Sequence, residues 1–291
     1  MSQPEPNAFQ TGALTRKNLV SIMTALAIWS GLFLAAALLG RVAALPQYSA
    51  RWLSAMLCIT GVFLVFYQFL DVRQSRSAWV VSVAFTGAIA FLFLRFGTSE
   101  NWRAFFHSLF LVLFTFCLGR ALSFLVDEKQ YLVPVGMVAS LADVWSVFGG
   151  LTKKLVESQS PIMQTVVSNI MVSMPVAPIQ EGEALRIEPI AGGTDFLFIA
   201  LFLGIARKFD LSIKHSSVAM FIGLSSGLSL TVLLQSFDYL TSGLPGLPFL
   251  AVSFIGVHWR EMKPGTKEMV TTIVFCLVAV LLMVFYRMAM V

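Results

Sequence analysis

Apolar residues fill this chain in long runs separated by short polar breaks. Runs of about 18 or more apolar residues with few charges mark helices that cross a bilayer. Nine such spans are expected, at roughly Leu19–Gly40, Trp52–Leu70, Trp79–Phe96, Ala104–Leu125, Tyr131–Phe148, Asp195–Ala206, His215–Phe237, Leu244–His258 and Met269–Met290. The sixth and eighth are short. Short or Gly/Pro-interrupted segments at membrane depth are tolerated only where they face protein or a water-filled cavity. The pattern therefore predicts an all-α polytopic membrane protein. It divides into a polar tail over 1–18, a four-span scaffold over 19–130, a core over 131–260 and an additional C-terminal span over 261–291. The first span is too long for a signal-peptide core and is expected to be retained.

The one long connection, 149–193, has two parts. Leu151, Leu155, Ile162, Val166 and Ile170 fall at helical spacing, with Lys153, Lys154, Glu157 and Gln159 between them. This predicts an amphipathic helix along the membrane surface over Leu151–Val176, ended by Pro175 and Pro178. Glu183–Ile190 then alternates apolar and polar, which suits a short strand containing Leu185, Arg186 and Ile187. Long two-part loops are more often functional than idle, and Ile170–Val176 is where autoprocessing would be sought.

Composition agrees with the hydrophobic pattern. Of 291 residues, 57% are hydrophobic and 12% charged, against about 25% charged in soluble domains. The net charge of +5 says less than where the cations sit. With a cytoplasmic N-terminus, Arg16, Lys17, Arg73, Arg76, Lys129, Arg207, Lys208, Lys214, Arg260, Lys263 and Lys267 face the cytoplasm. Arg41, Arg51, Arg103, Lys153, Lys154, Arg186 and Arg287 face the other side. The positive-inside rule favours this orientation. Cys58, Cys117 and Cys276 lie in apolar runs without paired spacing and are read as packed thiols. There is no His-Glu-x-x-His helix and no phosphate-cradling glycine loop. No metal, cofactor or nucleic acid is called for.

Two carboxylates fall at span depth. Asp143 lies in Ser140–Leu-Ala-Asp-Val-Trp, and Asp195 follows Gly192-Gly193-Thr194. A charge at that depth costs roughly 2.5–3.5 kcal/mol on insertion scales, so each is a functional candidate by default. Together they read as one catalytic site inside the membrane. Gly243-Leu-Pro-Gly-Leu-Pro-Phe249 cannot continue a regular helix. Its backbone groups must be satisfied in lipid, so it should face the protein interior, with amides and carbonyls freed for other partners. Gly223 and Gly227 read as helix-packing positions. A serine-nucleophile reading of Gly223-Leu-Ser225 with His258 is the minor alternative. His258 and His107 are placed near interfaces, and Arg120 is expected to snorkel outward from the end of span four.

Three motifs then line up in order. Ala142-Asp143, followed by Trp145-Ser146-Val147-Phe148, resembles the Tyr-Asp motif of the presenilin and signal peptide peptidase family. Gly192-Gly193-Thr194-Asp195 resembles its Gly-x-Gly-Asp motif, and Pro245-Gly246-Leu247-Pro248 its Pro-Ala-Leu motif. The likeness covers about Tyr131–Trp259. The chain differs from the family pattern at Ala142, Thr194 and Gly246. It also has four spans where the family has five before the first aspartate, and one more after the proline motif. The resemblance implies a presenilin-like catalytic core with a helix broken at Pro-Gly-Leu-Pro.

The implied activity is intramembrane aspartyl proteolysis. Two aspartates sharing a site hold one proton between them. The ionised member activates a water that attacks a peptide carbonyl, and the protonated member donates to the carbonyl oxygen. Which aspartate plays which part is open. Gly192 and Gly193 permit close backbone approach, and the β-branched Thr194 adds bulk beside the carboxylate. Leu185, Arg186 and Ile187, with Pro245, Gly246, Leu247 and Pro248, are expected to pair with an unwound substrate by strand addition. Expected partners are single-span membrane proteins or peptides within the bilayer; a homo-oligomer is also compatible. The rival readings are a proton- or ion-coupled transporter using the same aspartates, and an inactive helix-binding relative.

Overall fold

The computed structural model describes residues 16–42, 47–70, 76–96, 100–149, 160, 169–176, 186–237, 239, 243–262 and 265–289. Nine α-helices are found among them: α1 Arg16–Val42, α2 Gln47–Phe69, α3 Arg76–Phe96, α4 Glu100–Ser123, α5 Leu132–Gly149, α6 Gly193–Lys208, α7 Ile213–Ser236, α8 Leu247–His258 and α9 Thr266–Ala289. Each coincides with one expected apolar run to within a few residues. Five coincide with stretches long and apolar enough to cross a membrane: Val20–Leu39, Ser49–Phe69, Trp102–Ser123, Lys129–Phe148 (which begins one short turn before α5) and Ile213–Ser236. By contrast α6 has 16 residues and α8 has 12, lengths of about 24 and 18 Å.

The centre of the fold is α6. Ten of its residues are buried, from Gly193 and Phe196 to Ala206. A helix that is apolar on every side belongs inside a bundle, and α4, α7 and α8 surround this one. Small residues bring α4 against it. A Cβ built on Gly119 would lie 2.6 Å from both the Ala200 Cβ and the Leu197 carbonyl oxygen. On the other side Phe254 of α8 stacks on Phe202 at 4.7 Å between centroids. The outer helices instead leave apolar side chains uncovered, such as Met23, Val81 and Phe85. These suit contact with lipid.

The long connection departs from the sequence expectation. Met171–Val176 is a strand, β1, rather than the end of an amphipathic helix. It pairs antiparallel with β2, Arg186–Gly192, from Met171 opposite Gly192 to Val176 opposite Arg186, with an irregularity between Val172 and Ser173. The amphipathic helix predicted upstream falls mostly outside the described residues. The strand replaces it because helices supply what an extended chain needs on its second edge. The Ser173 amide donates to the Ser108 Oγ of α4 at 2.9 Å, and that hydroxyl donates to the Ser173 carbonyl at 3.0 Å. The Ser54 hydroxyl of α2 donates to the Pro175 carbonyl at 2.8 Å. Pro175 has no N–H to satisfy. An ion pair of 2.7 Å between Arg51 and Glu188 ties β2 to α2.

Replacing Ser108 with alanine should leave the Ser173 N–H and C=O buried and unpaired. The expected loss is about 1–3 kcal/mol for each group left unsatisfied. Thermal unfolding in detergent, compared with an exposed control such as Ser226→Ala, measures it.

Candidate active site

The sequence Gly192-Gly193 carries the chain straight from β2 into α6. Gly192 is the extended residue before the helix, at φ −71° and ψ 138°, and Asp195 lies in the first turn. Gly193 is buried, and a Cβ there would come within 3.1 Å of the Ile170 carbonyl. A side chain there would press on the segment before β1. Thr194 is exposed, so its bulk is directed away from the packed side of the helix.

Asp143 stands on α5, half-buried. Its Oδ2 accepts the Leu247 amide at 3.0 Å, and the Gly246 amide adds a contact to the same carboxylate. These amides are among the first of α8. A helix N-terminus leaves its leading N–H groups without internal partners, and Gly246 has no side chain with which to cap them. Asp143 therefore acts as the N-cap of α8 from a different helix. Pro248, in the first turn, removes one orphan donor outright.

Asp195 reaches the same turn from the other side. A Cβ on Gly246 would lie 2.7 Å from Asp195 Oδ1 and 3.0 Å from its Cγ. Gly246 has ordinary helical dihedrals, φ −81° and ψ −34°. The glycine thus leaves space for the Asp195 carboxylate rather than supplying backbone freedom. One peptide turn accordingly lies against both carboxylates, and the charge of Asp143 acts on Asp195. The N-termini of α6 and α8 both lie at this point, where helix dipoles favour negative charge.

The structure thus brings together Asp143, Asp195, Gly246 and Leu247, with Gly192, Gly193 and Thr194 adjoining and Pro245 and Pro248 flanking. It does not bring Arg186 and Ile187 to the pair. Both lie at the far end of β2, with Ile187 five residues from Gly192, roughly 17 Å along a strand. Leu185 is outside the described residues. The amides freed by the proline segment do find partners outside their own helix. Leu244 N–H donates to Thr231 Oγ1 at 3.2 Å, Leu247 and Gly246 serve Asp143, and the two prolines have no N–H.

The serine reading loses its geometry. Gly223 and Gly227 pack against Ser253 and Phe249 of α8. His258 is buried, not interfacial, and its Nε2 lies 2.7 Å from Ser216 Oγ. His258 is thus paired with Ser216 and not with Ser225, nine residues further along α7. Two other expectations also change. His107 is buried in α4. Arg120 does not snorkel: it is buried, donates to the Gly204 carbonyl at 3.1 Å and lies 5.7 Å from the Trp79 ring.

No protein-family model, curated protein or solved structure matches this chain.

Gly246→Ala should fold like the parent, because the nearest obstruction is the end of a side chain. It should swing the Asp195 carboxylate off the turn. A structure of the variant measures this directly; an unmoved Asp195 would show that the turn has room to spare.

Proposed function

We propose that this chain is an intramembrane aspartyl endopeptidase of the presenilin and signal peptide peptidase type, cleaving peptide bonds within membrane-spanning helices. The observation that carries the reading is the meeting of Asp143 and Asp195 on the Gly246–Leu247 turn. Two carboxylates at one turn, beside two helix N-termini, are suited to hold a single negative charge and one shared proton. One aspartate activates water and the other protonates the carbonyl oxygen of the scissile bond. The Leu247 amide orients Asp143, and the bare Cα of Gly246 lets Asp195 approach.

In this reading all nine helices are spans, with α6 surrounded by the others and α8 buried along its Leu247, Leu250, Ala251 and Phe254 face. The Pro-Gly-Leu-Pro segment is the break that sets α8's first turn at membrane depth. The N-terminus is cytoplasmic, and substrates are single-span helices with cytoplasmic N-termini. Any strand pairing of substrate with β2 near the reacting bond would use its Ala191–Gly192 end. Residues 186–187 would bind substrate several positions away.

The test is cleavage of a labelled single-span substrate by purified protein, comparing the parent with Asp143→Asn and Asp195→Asn. Each variant should lose roughly 10³-fold or more in turnover while keeping its unfolding temperature. Cleavage persisting in both sinks the proposal. A parent that does not cleave but carries ions into liposomes would support the transporter instead.

A further inference from the structure

The turn that receives the two aspartates is held from behind by a residue on a helix without either of them. Thr231 lies on α7, one helical turn beyond Gly227. Its hydroxyl donates to the Gly227 carbonyl at 2.9 Å. That common back-bond fixes the oxygen's orientation and leaves a lone pair to accept the Leu244 amide at 3.2 Å. Leu244 is two residues before Gly246 and three before Leu247.

The remaining anchors of the segment are few. Pro245 and Pro248 donate nothing, and the Gly246 and Leu247 amides go to Asp143. Among the described residues one hydrogen bond holds the approach to the turn, and the aspartate itself holds the far side. The spacing of the turn from Asp195 has little slack, since even a methyl on Gly246 would lie 2.7 Å from Oδ1. The rest of the α7 face sets the level at which this bond forms. A Cβ on Gly227 would lie 2.7 Å from the Phe249 ring, so α7 and the first turn of α8 are in close register. Without the Thr231 oxygen, the Leu244 amide would have to turn toward another acceptor, because an unpaired N–H in an apolar setting is costly. Gly246 and Leu247 would turn with it.

We propose that Thr231 is a positioning residue for the aspartate pair: by accepting the Leu244 amide it sets the height and rotation at which the Gly246–Leu247 turn meets Asp143 and Asp195. Its kinetic consequence rests on the protease reading; its structural consequence does not. Misplacing catalytic groups by less than an ångström slows chemistry more than it weakens substrate binding.

The experiment compares Thr231→Val, which keeps the shape and removes the acceptor, with Thr231→Ser, which keeps the acceptor. Turnover of a single-span substrate should fall roughly 10- to 100-fold in kcat for T231V, with KM changed less than about threefold. T231S should stay within about threefold of the parent in both. Amide hydrogen exchange at Leu244 and Leu247 should be faster in T231V and unchanged in T231S. A parental kcat in T231V, an equal loss in T231S, or unchanged exchange at Leu244 overturns the proposal. If T231V does not fold, Thr231→Ala is substituted with the same expectations. If the parent itself cleaves nothing, the protease reading has failed, and the exchange data alone decide the role of Thr231.

Discussion

The hydrogen bond from the Leu247 amide to Asp143 is the contact on which the core depends. A helix beginning inside an apolar bundle exposes N–H groups that neither water nor its own backbone can satisfy. Here the missing acceptor is supplied by a carboxylate from α5, 104 residues earlier in the chain. One bond thereby solves two problems, since the helix start needs an acceptor and the carboxylate needs a donor. It also ties α5 to α8, one of the two helices along which it packs. Gly136 continues that packing, with Ala251 and Ile255 of α8 filling the space a side chain would take. The two aspartate-bearing helices meet through the first turn of α8.

Close approach of backbones does the remaining work. In an apolar medium helices gain little from burying more apolar surface, so contact area and local hydrogen bonds decide their arrangement. Gly119 against Ala200, Gly204 against Ser123, and Gly223 and Gly227 against Ser253 and Phe249 bring α4 and α6, and α7 and α8, close together. Arg120 adds a charged donor to the Gly204 carbonyl near the C-terminal end of α6, where a cation also suits the helix dipole. The result is a tightly seated α6 whose first turn holds Asp195 at the end of β2.

The nine helices were legible because each is a run of apolar residues bounded by charge, proline or glycine, a signal local to its own residues. The same holds for β2, whose alternation placed a strand within a few positions of Arg186–Gly192. β1 was not legible. Its apolar residues suit a helix face as well as a strand, and its deciding partners, Ser108 and Ser54, are 65 and 121 residues away. The candidate site was legible where chemistry is unusual for its setting: two carboxylates within apolar runs and a proline-rich turn. Leu185–Ile187 looked equally suitable, but the length of β2 carries its described members away from the pair. The environments of His107, Arg120 and His258 could not be read, because whether a polar residue near a helix end faces solvent or a neighbour depends on what packs beside it.

The sequence by itself determined the helical, membrane-compatible character of the chain and singled out Asp143, Asp195 and the proline-broken segment. Those properties follow from hydropathy, proline geometry and the cost of a charge in lipid, all of which are local. Only the tertiary structure decided that Leu247 caps on Asp143, that Gly246 leaves room for Asp195, and that Thr231 takes the Leu244 amide. Each is a contact between residues distant in the chain, at a spacing of a few ångströms that helix packing sets and no local pattern encodes.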